Sequence, residues 1–83
     1  MNWKIGDTIT IISPKPIHRI KGIYGRLWWN PRMDKYISAT LIITGINKSD
    51  KQYSCNTRDD IEWVWIEEWL EDPILALINE VIK

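Results

Sequence analysis

Only a few side chains in this sequence have the chemistry for catalysis. His18 is the single histidine, set between Ile17 and Arg19. A general base needs a partner that orients and tunes its imidazole. No Ser-His-Asp or Cys-His spacing surrounds it, so it reads as an exposed loop residue. Cys55, the single cysteine, lies in Tyr53-Ser54-Cys55-Asn56-Thr57, which reads as a strand entering a turn. It is expected as a small strand residue and not as a nucleophile. Asp59-Asp60 and Glu67-Glu68 are carboxylate pairs of the kind acid–base chemistry employs, yet adjacent acids in turns ordinarily form a solvated face. Gly22-Ile23-Tyr24-Gly25-Arg26 lacks the lysine spacing and following helix of a phosphate loop. One cysteine also excludes an internal disulfide and a multi-cysteine zinc site. These residues point away from an enzyme, and no catalytic residue, metal or cofactor is expected.

The chemistry of recognition is better represented. The stretch GRLWWNPRMDKY, residues 25–36, sets Arg26 and Arg32 around the adjacent Trp28 and Trp29, with Tyr24 just upstream. Tyrosine, tryptophan and arginine are the residue types that dominate protein-interface hot spots. Neighbouring residues of an extended segment point to opposite faces, so one indole can enter the core while the other stays outside. The same mixture of aromatic and basic residues suits single-stranded nucleic acid, where rings stack on bases and cations neutralise phosphate. The overall charge opposes that second reading. Eleven basic and eleven acidic residues give a net charge of zero. They are unevenly placed: residues 15–35 hold six Lys/Arg and one acid, and residues 59–72 hold seven acids and no Lys/Arg. The two segments can attract each other or form opposite poles. Glu67 and Glu68, within the acidic stretch, are candidates to meet a basic partner.

These residues need a frame that positions them. At 83 residues the chain is long enough for one domain, and a domain of this size buries only about 60% of its unfolded surface. Six tryptophans and three tyrosines supply the bulk, with no phenylalanine. Each buried ring removes roughly 150–250 Å² from water, so most of them are expected in the core. Thr8 to Ile12 is a β-branched run closed by Ser13-Pro14 and reads as a first strand. Residues 13–38 are too long for a structureless loop in a compact domain. They are expected to fold back as an irregular hairpin, with a helical turn through Pro31-Arg32-Met33-Asp34. Thr40–Ile46, Lys51–Cys55 and Ile61–Trp65 are further strands, the last with Ile61, Trp63 and Trp65 on one face. A helical turn over Ile66–Leu70 leads into a short final strand. Asp72-Pro73 then opens an amphipathic helix whose wide apolar face includes Leu75, Ile78 and Ile82. So short a helix must bury that face, on the domain or on a partner. Short strands, a long early loop and a terminal helical turn suggest a mainly β fold: a small SH3-like five-stranded barrel with a long first loop and a short C-terminal helix. The barrel would span 1–72 and the helix 73–83, packed on the barrel or on a partner.

Trp28, the Met33-Asp34-Lys35-Tyr36 turn and the ending Glu62-Trp63-Val64-Trp65 with Glu67-Glu68-Trp69-Leu70-Glu71 resemble a pattern in small phage and bacterial SH3-like proteins, akin to the Mind bomb-type barrel. The pattern would cover residues 3–71. It departs in one place: a glycine expected soon after the tyrosine is replaced by Ile37-Ser38-Ala39. The resemblance implies a protein-interaction role without catalytic residues, with a host or defence protein as partner and the host cytoplasm as location. It also implies Trp28 inside and Trp29 outside.

The expectation is therefore a non-enzymatic interaction module, an inhibitor if the phage resemblance holds. Its partner surface would be Tyr24, Arg26, Trp29, Arg32, Glu67 and Glu68. The runner-up is single-stranded nucleic-acid binding through residues 15–35. The absence of an apolar signal run or an 18-residue apolar stretch predicts a soluble protein with no membrane partner. It would be a monomer, or a homodimer through Leu75, Ile78 and Ile82.

Overall fold

A computed structural model describes residues 3–19, 28–59 and 62–81, with residues 80 and 81 described by backbone only. Five strands run through it in the chain order β1 (Thr8–Ile11), β2 (Thr40–Asn47), β3 (Gln52–Cys55), β4 (Val64–Ile66) and β5 (Leu70–Glu71), followed by the helix α1 (Pro73–Val81). They form one antiparallel sheet in the order β4-β3-β2-β1-β5, and β4 and β5 are its two edges. The protein is thus a small, mainly β domain with one short C-terminal helix. Both edge strands are very short, which limits pairing with foreign strands.

The β-branched residues form the centre of the sheet. In β1, Ile9, Thr10 and Ile11 are all buried. In β2, Leu41 and Ile43 alternate inward while Ile42 faces out, the period of a strand covered on one side. β2 serves two neighbours in succession. Thr40–Ile42 pair with β1, and residues from Ile43 to Asn47 pair with β3 across a bulge between Ile43 and Gly45. A bulge bends its strand, and here it turns the two halves of the sheet about β2.

The long β1–β2 connection does fold back. It carries a 3₁₀ helix at Pro16–Arg19 and another at Pro31–Tyr36. The Trp29 amide donates to the His18 carbonyl across 2.9 Å, closing the two arms. Asn30 caps the second 3₁₀ helix as its sequence predicts. Its side chain accepts from the Arg32 amide, and its own amide donates to the Met33 sulfur. Ser38 then adopts φ 72°, a left-handed conformation that glycine takes without strain. A third 3₁₀ turn, Glu67–Trp69, joins β4 to β5 where the helical turn is expected.

Three indoles lock the core. Trp29, Trp65 and Trp69 meet edge to face, with centroids 5.8, 5.1 and 6.5 Å apart, and Tyr36 adds a fourth ring against Trp65. Such pairs add about 0.5–1.5 kcal/mol beyond area burial. These rings take the place of the missing phenylalanines. Trp63, just before β4, and Trp65 within it are both buried, as is Ile66, while Ile61 lies outside the described residues. Trp65 Nε1 is buried without a hydrogen-bond partner among the described residues.

Two expectations are corrected. Trp29, expected outside, is 1% exposed, and Trp28, expected inside, is 56% exposed. The alternation of faces holds, but its sign is reversed. The His18–Trp29 backbone bond and the Asn30 cap fix the parity, and only Trp29 then reaches both the other indoles and an acceptor for its own N–H. His18, expected in solvent, is buried.

Candidate partner-binding surfaces

Two of the side chains with catalytic potential, His18 and Asp59, accept indole N–H groups. His18 Nδ1 accepts the Trp69 Nε1–H at 3.0 Å, so the proton of the neutral ring sits on Nε2, 3.7 Å from a Glu68 carboxylate oxygen. Asp59 Oδ2 accepts from Trp63 Nε1 at 2.9 Å, and its Oδ1 accepts from Lys35 Nζ at 2.6 Å. The lysine bond is the main cause that holds the Asp59 carboxyl down at about 2, followed by the Trp63 and Tyr36 bonds. Asp34 Oδ1 accepts from Trp29 Nε1 at 2.6 Å. That bond lowers the Asp34 pKa most, burial opposes it, and Arg19 at 3.0 Å lowers it further. Burial pushes the Cys55 thiol up to about 12. Such a thiol stays protonated and is a poor nucleophile. Among the described residues, no group of three or more His, Cys, Asp or Glu is placed to hold a metal ion.

The same contacts distribute the charges foreseen as two poles. Lys35 of the basic segment pairs with Asp59 of the acidic one, and Arg19 pairs within its own segment with Asp34. Arg19 also stands 5.7 Å from the Trp29 ring centre. Exposed Arg32 lies 5.9 Å over Trp63. Among the described residues of this loop Trp28 is the exposed tryptophan, so burial removes Trp29 from any partner surface and leaves Trp28 in its place. Tyr24, Arg26 and Ile82 lie outside the described residues. Glu67 is half-buried and Glu68 exposed, both on the third 3₁₀ turn, and Glu68 faces His18.

The helix α1 begins as read. Asp72 Oδ1 accepts the amides of Ile74 and Leu75, the usual work of an N-cap. It lies beside β1 but leaves much of its apolar surface uncovered. Ile74, Leu75, Leu77 and Ile78 are between 43% and 69% exposed. The expected burial of this face on the domain is therefore not met by Leu75 and Ile78. No helix among the described residues is long and apolar enough to cross a membrane.

One concave feature escaped the sequence reading. An open groove of about 790 Å³ lies between the N-terminal segment, the β2–β3 turn and the third 3₁₀ turn. Trp3 and Tyr53 contribute rings, and Lys4, Lys48 and Lys51 contribute charge. Its residues come from three separate stretches of the chain, so no local spacing announces it.

The chain matches no protein-family model, no curated protein and no solved structure.

Proposed function

We propose that this protein is a non-enzymatic protein-interaction module on a small SH3-like barrel. The carrying observation is the row of exposed Ile74, Leu75, Leu77 and Ile78 on α1. A nine-residue helix has little stability of its own in water. Each large aliphatic side chain gains about 1.5–3 kcal/mol when fully buried, so covering this face stabilises both the helix and a complex. Exposed Trp28 and Arg32 add hot-spot residue types. The barrel reading draws support from β5 pairing with β1 and from the 3₁₀ turn that joins β4 to β5. Left-handed Ser38 lies within Ile37-Ser38-Ala39, the stretch in which the resemblance implies a glycine. With the phage resemblance, the partner is a host or defence protein in the cytoplasm, and the protein acts as its inhibitor. The resident chemistry favours binding over catalysis, since His18, Asp34 and Asp59 hold tryptophans.

Nucleic-acid binding through residues 15–35 is the weaker reading. Arg19 and Lys35 are paired with carboxylates and Trp29 is buried, which leaves fewer free cations and rings for a strand. The test is retention from nuclease-treated lysate on the immobilised protein, compared with Leu77→Glu and Trp28→Ala. A retained protein lost in folded Leu77→Glu supports the reading. Equal retention by both folded variants, or retention abolished by nuclease, overturns it. Sedimentation of the free chain identifies the case in which α1 is covered by a second copy.

A further inference from the structure

The groove beside Trp3 has the marks of a prepared surface. All of its walls are tied by hydrogen bonds within the fold. Gly6, at φ 94°, turns the N-terminal segment, and its amide donates to the Ile43 carbonyl while Lys4 and Asp7 bond to each other. In the β2–β3 turn, Asn47 Oδ1 accepts from Ser49 and from the Asp50 amide, and Asp50 accepts from the Asn47 side chain. The Glu67 amide donates to the Lys51 carbonyl and joins the third 3₁₀ turn to that hairpin. A site fixed in this way loses little freedom when it binds.

Its chemistry is equally specific. Tyr53 is nearly buried and forms the floor, Trp3 and Ile46 are half-buried, and Ile5 is 67% exposed at the rim. Exposed Lys4, Lys48 and Lys51 surround this apolar strip, opposed by one carboxylate, Glu67. Lys51 also holds φ 53°, a left-handed conformation that strains a side-chain-bearing residue and that glycine adopts freely. A lysine in that turn position, with its side chain on the groove, shows strain kept where glycine would relieve it. Such strain gathers at binding sites.

We propose that this groove is a docking site for an acidic polypeptide segment with an aliphatic anchor. The anchor packs on Trp3, Ile5 and Ile46, and the flanking carboxylates meet the three lysines. The volume is in the range of about 300–1,000 Å³ that binding clefts occupy. A nucleic-acid strand fits less well. Tyr53 is too buried to stack with a base. The inference rests on the reading of the chain as a protein-binding module, but not on α1 as its surface.

The test is fluorescence anisotropy with a labelled peptide of alternating glutamate and leucine residues, at low and physiological salt. Saturable binding is expected, weakened at least about tenfold by Lys48→Glu and abolished when glutamine replaces glutamate. Lys51→Gly is expected to raise the thermal midpoint and yet weaken the peptide. Lys4→Glu repeats the charge test from another wall. Leu77→Glu leaves peptide binding unchanged. No binding, equal binding by the folded Lys48→Glu and Lys4→Glu variants, or stronger competition by a single-stranded oligonucleotide than by unlabelled peptide overturns the groove. Loss of peptide binding in Leu77→Glu also overturns it, because the peptide then sits on α1. Failure of the peptide while α1 still retains its lysate partner removes the groove alone and leaves the proposed function standing.

Discussion

Trp29 donates its indole N–H to Asp34 across 2.6 Å, and this bond joins the core to the surface of the long β1–β2 connection. The indole is buried between Trp65 and Trp69. The carboxylate lies on the capped 3₁₀ helix and receives Arg19 from the other arm. Trp29→Ala removes the ring on which three elements meet, and a loss of about 3–5 kcal/mol is expected. That is a large part of the total stability of a domain this size. Trp28→Ala is expected to stay within about 0.5 kcal/mol of the parent. Urea unfolding followed by circular dichroism measures both. Equal losses would reverse the burial of the pair.

His18 and Trp69 form the second such link, over 3.0 Å and in a fully buried setting. His18→Ala leaves a buried indole donor without its acceptor, which costs about 1–3 kcal/mol beyond the lost packing. Glu68→Gln, which alters only the more distant partner, is expected to change little. A His18→Ala variant as stable as its parent in urea would mean that the bond does not form.

Acid should loosen the loop through Asp59. Its pKa falls from the ordinary 3.8 to about 2 because Lys35, Trp63 and Tyr36 donate to the carboxylate. Asp34 is lowered in the same direction. The unfolded chain takes up these protons first, so their contribution is complete above the ordinary value. It is lost as the pH falls from there toward about 2, in line with proton linkage. The thermal midpoint should drop through that window, and Asp59→Asn should flatten the drop. A midpoint independent of pH over the window would contradict the Lys35–Asp59 and Trp63–Asp59 bonds.

Cys55 should be nearly inert in the folded protein. With its thiol pushed to about 12 by burial, the thiolate fraction at pH 8 is on the order of one in ten thousand. A chromogenic disulfide reagent should react only as urea opens the sheet. Rapid stoichiometric reaction in native buffer would show the thiol to be accessible.

Much of the frame was legible from short-range rules. The β-branched runs at Thr8 and Thr40 became inner strands of the sheet, residues 41–43 with the period-two burial of one covered face and residues 9–11 buried throughout. Asn30-Pro31 and Asp72-Pro73 both started helices, since capping depends on side chains within three residues. The mainly β class followed from these strands and turns. The likeness to SH3-type proteins implied the wrong indole inside, because it placed a tryptophan by position and the local backbone bond to His18 set the parity.

What the chain order determined by itself was therefore the set of elements: strands, caps, turns and an amphipathic helix, each written within a few residues. The tertiary structure alone decided the rest. It turned a lone histidine and two aspartates into acceptors for Trp69, Trp29 and Trp63, since leaving a buried N–H unpaired is costly and most find an acceptor. It gathered Trp3, Lys4, Lys48, Lys51 and Tyr53 around one groove from distant stretches. It left the α1 aliphatic residues without cover. Which groups meet depends on how the sheet bends and the long connection returns, and those are long-range contacts that local spacing does not encode.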